Sequence, residues 1–237
     1  MSTQRGAALL LVLWALALLS ALMASALATV RLENRQSRYA LHRVQALSNA
    51  EAGVVLAVEG LLAPAKTAWL ADGQAYALTF DGATLQVRIE SERGKLDINS
   101  ADTALYPPLM TELGASARQI QQFTQTLESK RLAHQLIVSL EDLQAFAGMT
   151  PALYQQLLPN VTLWSGTNTL SPSFATPALR KALALTGPPD LSDPGQVFTI
   201  RSRARLENDF SAELAVTLQL SANDLNAPLY RVFRWWE

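Results

Sequence analysis

The sequence predicts an α+β fold in which a long N-terminal helix packs on an antiparallel sheet and a helical insert interrupts the sheet. Three observations predict it. Ala7 to Val30 is a run of 24 residues without a charge, a Gly or a Pro, and no Pro follows until Pro64. Two blocks, 75–91 and 198–236, alternate apolar and polar residues with the period of a strand. Between them the pattern is helical from about Leu96 to Leu158.

The apolar run comes first. At about 1.5 Å per residue it makes a helix of about 36 Å, enough to cross a hydrocarbon core of about 30 Å. It also exceeds the roughly 7–15 apolar residues of a cleaved secretory signal. From Arg31 onward, Leu41, Val44, Leu47, Val54, Val58, Leu61 and Leu62 recur at steps of three and four. That spacing predicts a continuing helix with one buried stripe, ending at Ala63 before Pro64.

Ala75–Phe80, the Asp81-Gly82 turn and Thr84–Ser91 read as a hairpin. Leu85, Val87 and Ile89 alternate with Gln86, Arg88 and Glu90, so one face is buried. In the helical stretch, Asp102 and Ser139 (with Asp142 three residues on) are helix-start signals, and Gly148-Met149-Thr150-Pro151 separates two short helices. Residues 165–177 read as a connector and Ala178–Leu185 as a short helix ended by Gly187-Pro188-Pro189. Phe198, Ile200, Ser202, Ala204 and Leu206 face one way, and Thr199, Arg201, Arg203 and Arg205 the other. A second strand carries Phe210, Leu214, Val216, Leu218 and Leu220, and a third spans Leu229–Trp236.

Nineteen basic and 20 acidic side chains leave a net charge of −1, unlike a dedicated nucleic-acid binder, and the absence of Cys excludes disulfides and thiolate metal sites. No phosphate loop, dinucleotide fingerprint, zinc spacing or nucleophile elbow is present. His42 and His134 stand apart and read as polar surface residues. The Arg201, Arg203, Arg205 row reads as a solvated strand face, and Trp235-Trp236 as sheet packing. Asp190 and Asp193, near Gly195, carry the oxygen chemistry that calcium takes, but their spacing is not that of an EF-hand and they read as turn acids. Leu96–Ala101 with Leu113-Gly114-Ala115, and Ser139–Leu143 with Ala147-Gly148-Met149, resemble paired helix-hairpin-helix units. Residues 95–160 hold four Lys or Arg against six Asp or Glu, the wrong balance for holding phosphate, so this unit reads as a packing or protein-contact module.

Arg5-Gly6 before the apolar helix, the Glu90–Asn99 stretch, Leu140–Val161, and Asn168–Leu183 as a return to the sheet together resemble the minor pseudopilin K family of type II secretion systems. The resemblance implies a type IV pilin-like fold: a leader (1–6), a membrane half (7–30) and a periplasmic half (31–63) of one helix, an α+β domain (64–94 and 165–237) and a helical insert (95–164). It further implies that a prepilin peptidase cuts after Gly6 and methylates the new amine of Ala7. The mature chain would then join minor pseudopilins I and J, and H, at the tip of a pseudopilus raised by an inner-membrane assembly platform. No enzymatic activity, cofactor or nucleic-acid partner is expected. The expected location is the bacterial inner membrane, single-pass, with the C-terminal domain in the periplasm.

Two positions depart from the usual pattern: Ala7 stands where Phe begins most mature chains, and Leu11 where they carry Glu. That Glu neutralises a neighbour's buried amine, because an unpaired ion is costly in low dielectric. A topmost subunit receives no such amine, so Leu11 fits the tip. The insert is shorter than is usual, and no acid-rich calcium stretch is evident, so no metal ligands are carried over. Arg31, Arg35, Arg38 and Arg43 against Glu33 would by charge count put the C-terminal side in the cytoplasm; the resemblance at the Arg5-Gly6 junction implies the opposite side. The rival readings are a membrane-anchored helix-hairpin-helix DNA receptor of a competence system, and a secreted protein cut after Ala24-Ser25-Ala26.

Overall fold

The structure, a computed structural model, describes residues 4–64, 67–186, 190, 193–221 and 228–237, with the backbone alone at 4–10 and 28. Residues 1–3 of the expected leader and the Gly187-Pro188-Pro189 stop lie outside these. Helix α1 runs unbroken from Gln4–Leu62. Every described side chain from Leu11 to Leu41 is exposed, so the apolar half stands clear of the rest of the fold.

A five-stranded antiparallel sheet has the order β1(Asp72–Phe80), β2(Ala83–Ser91), β5(Val197–Arg205), β6(Ser211–Leu220), β7(Tyr230–Trp236). Asp81 and Gly82, with φ of 45° and 72°, make the β1–β2 turn, whose two positive φ values match the strands' twist. Leu85, Val87, Ile89, Phe198, Ile200, Ala204, Leu214, Val216 and Leu218 form the buried face, covered by α1.

The stripe α1 uses there shares Val54 and Val58 with the expected one and otherwise differs from it. Ala46, Ala50, Gly53, Val54, Ala57 and Val58 are buried, while Leu41, Val44 and Leu62 are exposed and Leu47 and Leu61 half-buried. At about 100° per residue, Leu41, Val44 and Leu62 point away from the small-residue face. The small residues let the helix lie close to the sheet: a Cβ on Gly53 would come within 2.2 Å of Ser202 Oγ and 3.2 Å of Val87 Cγ2. We expect Gly53→Val to lift α1 and destabilise the detergent-solubilised chain by about 1–3 kcal/mol in urea denaturation; an unchanged midpoint would contradict this contact.

The insert leaves the end of β2 and returns at the start of β5, adjacent strands that pair from Thr84↔Arg205 to Ser91↔Phe198. Asp72 pairs with Glu90, and Trp69 lies on Gly60, so this is also the end of the sheet where α1 stops. The apolar half of α1 points the other way.

Within the insert, β3(Leu96–Asp97) pairs in parallel with β4(Val161–Thr162), and around them lie α2(Tyr106–Glu112), α3(Ala117–Leu132), α4(Pro151–Leu157) and α5(Pro177–Ala182). Ser139 and Asp142 form the expected capping box, but it opens a 3-10 turn, Leu140–Ala145. Tyr106, Phe123 and Phe146 pack as tilted rings through a second core, with ring centroids 5.6 and 5.4 Å apart. This core reaches past residue 164: Leu179 is buried in it, and Leu170, Ala178, Ala182 and Leu183 pack against it. By packing, residues 170–183 belong with the helices, where the sequence groups them with the sheet.

Candidate functional site

Three regions carry the chemistry: the apolar length of α1, its exposed ridge beside the sheet, and the seam between insert and sheet. Gly6 and Ala7 lie in the first two turns of α1, and Leu11 is 71% exposed. The one helix long and apolar enough to cross a membrane among the described residues is α1. Beyond the span, Leu41, Val44, Val55 and Leu62 form an apolar ridge on the side of α1 away from the sheet.

The seam is polar. Lys95 and Glu92 are both buried and pair at 2.5 Å, and Glu90 stands 3.6 Å from the same ammonium. Glu92 Oε1 also accepts from Thr199 Oγ1 at 2.6 Å, whose hydroxyl contacts Thr217 Oγ1 at 2.8 Å. Thr199, expected on the solvent face with the arginines, is therefore buried where the insert covers that end of the sheet. Above this floor opens a cleft of about 440 Å³ lined by Gln144, Tyr154, Gln155, Trp164, Arg201 and Trp236. The Trp236 ring has Arg234 at 4.5 Å and Arg201 at 5.7 Å over it, while Trp164 of the insert stacks on Phe233 at 6.0 Å. Arg234 pairs with Glu141 of the insert. The Ser139 hydroxyl and then Arg234 hold the Glu141 carboxyl below the usual carboxylate range. That contact is present at neutral pH and is lost only as acid protonates Glu141. Each charge of the seam thus has a partner within it, so the cleft works as a joint.

The remaining sequence candidates stay separate. Asp193 pairs with Arg93 and accepts from the Gly195 N–H at 3.2 Å, and both contacts, Arg93 first, hold its carboxyl low. The Asp190 N–H donates to Ser173 Oγ at 2.7 Å. Among the described residues no three His, Asp or Glu side chains gather to hold a metal. His134 is exposed, whereas His42, expected on the surface, is half-buried beside Phe210. Trp235, expected to pack in the sheet, is 48% exposed on β7, an edge strand.

The hairpin-like motifs of the insert are built for packing. Asp97 accepts from the Asn99 N–H at 3.0 Å, from Ser165 Oγ at 3.2 Å and from the Gly166 N–H at 3.3 Å. Asn99 pairs twice with the Ile137 backbone, at 2.9 Å each way. Arg131 donates to the Ile98 and Ala101 carbonyls at 2.6 and 2.7 Å. Gly148 abuts α3, with Gln119 donating to its carbonyl at 3.0 Å. Burial pushes the Tyr106 phenol far above its ordinary value while its hydroxyl donates to the Asp97 carbonyl. The buried Glu92–Lys95 pair escapes sequence reasoning, since Glu90-Ser91-Glu92-Arg93 has the composition of a solvated turn.

No family model matches the sequence, and no curated protein matches it. Among solved structures the chain is similar to one chain of the crystal structure of the GspK-GspI-GspJ complex from the type 2 secretion system of enterotoxigenic Escherichia coli, with a TM-score of 0.57 and 14% identity. The match covers 85% of this chain and 98% of that one. At that identity the likeness is one of fold: a long N-terminal helix on an antiparallel sheet.

Proposed function

We propose that this chain is a minor pseudopilin of a type II secretion system, anchored in the inner membrane by the apolar half of α1, with its folded domain in the periplasm. The observation that carries the reading is the shared fold over nearly all of a chain from a pseudopilin complex, on a protein whose first helix is built to span a bilayer. In this reading the prepilin peptidase cuts after Gly6 and methylates Ala7, and the assembly platform then extracts the subunit. The exposed ridge Leu41, Val44, Val55 and Leu62 is the surface for partner helices, since stripped of a partner it leaves large apolar groups in water. The partners are pseudopilins I and J, with H, and the chain has no catalytic role.

The test is co-expression of the full chain with pseudopilins I, J and H of the same cell and purification in detergent. A stoichiometric complex is the expected result, weakened by Leu41→Lys with Val44→Lys. Failure to associate at tens of micromolar, roughly the weak end of specific pairing, would sink the assignment.

The tip position within this reading rests on Leu11. Leu11→Glu adds a carboxylate that no amine from above neutralises. Insertion scales put such a group at roughly 2.5–3.5 kcal/mol at mid-membrane, and less near a helix end. We expect secretion to be unchanged or weaker in Leu11→Glu cells. A clear gain would remove the capping role and leave the fold and anchoring intact.

A further inference from the structure

The two edges of the sheet are finished differently. β7 carries Arg231 and Arg234, has a register shift opposite Thr217 and Leu218, and is tied at its end by Glu237 to Arg43 at 2.9 Å. Charges and bulges of this kind keep an edge from pairing with another chain. β1 has none of them where it matters. From Ala75 to Phe80 its sequence is Ala-Tyr-Ala-Leu-Thr-Phe, without a charge or a Pro, and its one irregularity lies earlier, between Asp72 and Ala75. It is paired to β2 on one side, and is the last strand on the other. Ala75, Ala77, Thr79 and Phe80 are exposed, and Phe80 shows 43% of its surface. A regular, uncharged edge of this length is a template for one more strand.

Arg88 adds a demand on that strand. It is exposed, lies directly opposite Arg201 on one side and Ala75 on the other, and shares the outer face with both. Like charges directly opposite each other destabilise a sheet. Arg201, Arg203 and Arg205 each have a carboxylate, at 3.7, 3.5 and 2.7 Å. Arg88, among the described residues, forms no ion pair and donates only to the Gly73 carbonyl at 3.5 Å. Since strands lie about 4.8 Å apart, a long side chain that crosses β1 at Ala75 toward Gly73 reaches the space beyond the free edge.

We infer that the β1 edge accepts an extended segment of a neighbouring pilin-like subunit as a sixth strand, whose outer face carries a carboxylate that Arg88 meets. The inference rests on the pseudopilin reading. Neighbours anchored by side-by-side helices hold their sheets alongside one another, which raises the effective concentration of edge for edge. A second copy fits worse. Its β7 edge is guarded, and its β1 has no acid after Asp72 to offer Arg88. Tyr76, Leu78 and Phe80, on the helix side, would meet apolar residues of the added strand.

The experiment is hydrogen–deuterium exchange on the full chain, alone and co-purified with pseudopilins I, J and H. Amides of 75–80 should slow by at least about tenfold in the complex, while those of 230–236 keep their rates. Arg88→Glu should abolish the slowing, and Arg203→Glu, an equal charge change on the same face, should keep it. Both side chains are exposed, and thermal melts confirm that the variants fold. A complex that forms without slowing at 75–80 overturns the inference and leaves the pseudopilin reading standing. No complex overturns both. Slowing that Arg88→Glu retains removes the carboxylate contact, and slowing in the chain alone that grows with its concentration shows self-pairing and overturns the choice of partner.

Discussion

Gly6→Val should accumulate entirely as the uncut chain in cells that carry a prepilin peptidase, while the parent protein yields a mature form beginning at methylated Ala7. Gly6 offers the peptidase a backbone with no side chain, and Val puts a branched group at the bond to be cut. A single Val is an ordinary helix residue, about 0.6 kcal/mol less favourable than Ala, so α1 still forms and inserts. The loss is then one of processing, with folding intact. Intact-mass spectrometry of protein purified from membranes reads it directly. A mature start near Leu27 in the parent protein would replace the pseudopilin reading with ordinary signal cleavage.

Glu92→Ala should destabilise the folded chain by about 3 kcal/mol, because it strands a buried ammonium. The Lys95 side chain is 6% exposed and that of Glu92 1%, and Glu90 at 3.6 Å replaces only part of what is lost. Thr199 loses its acceptor in the same change. Adding Lys95→Met should recover most of the loss, since an apolar pair of similar size needs no partner. Urea denaturation of the four members of the cycle measures both effects. A single-variant loss under about 1 kcal/mol would mean that water reaches Lys95.

The sequence made the hairpin legible through Asp81-Gly82 and the strict alternation of Leu85, Val87 and Ile89, because a two-residue turn and a half-buried strand leave local signatures. The course of α1 was equally plain. Its buried face was not, since Ala46, Ala50 and Ala57 are as common on exposed helix faces as on packed ones, and the larger Leu41 and Val44 draw the eye. Which face is covered depends on how closely the sheet approaches, and Gly53 sets that distance. The seam was illegible for a related reason. Glu92 and Thr199 are 107 residues apart, and only the docking of the insert buries them together. Trp235-Trp236 could be assigned to the sheet, but the exposure of Trp235 follows from β7 being its last strand.

The position of the insert between two hydrogen-bonded strands has a kinetic consequence. β2 and β5 cannot zip until the chain between Ser91 and Phe198 has closed into a loop, and sheets built on such distant pairings form slowly. The insert has a core of its own, which runs from Leu96 to Leu179. Once collapsed, it holds Leu96 against Val161 and Arg93 against Ser171, which leaves only the segment between Ser171 and Phe198 to close. The remaining search is then over that shorter segment instead of the whole one. Each halving of a loop lowers its closure entropy by about 0.6 kcal/mol, so the helical insert acts as a clasp that lets the central strands find each other.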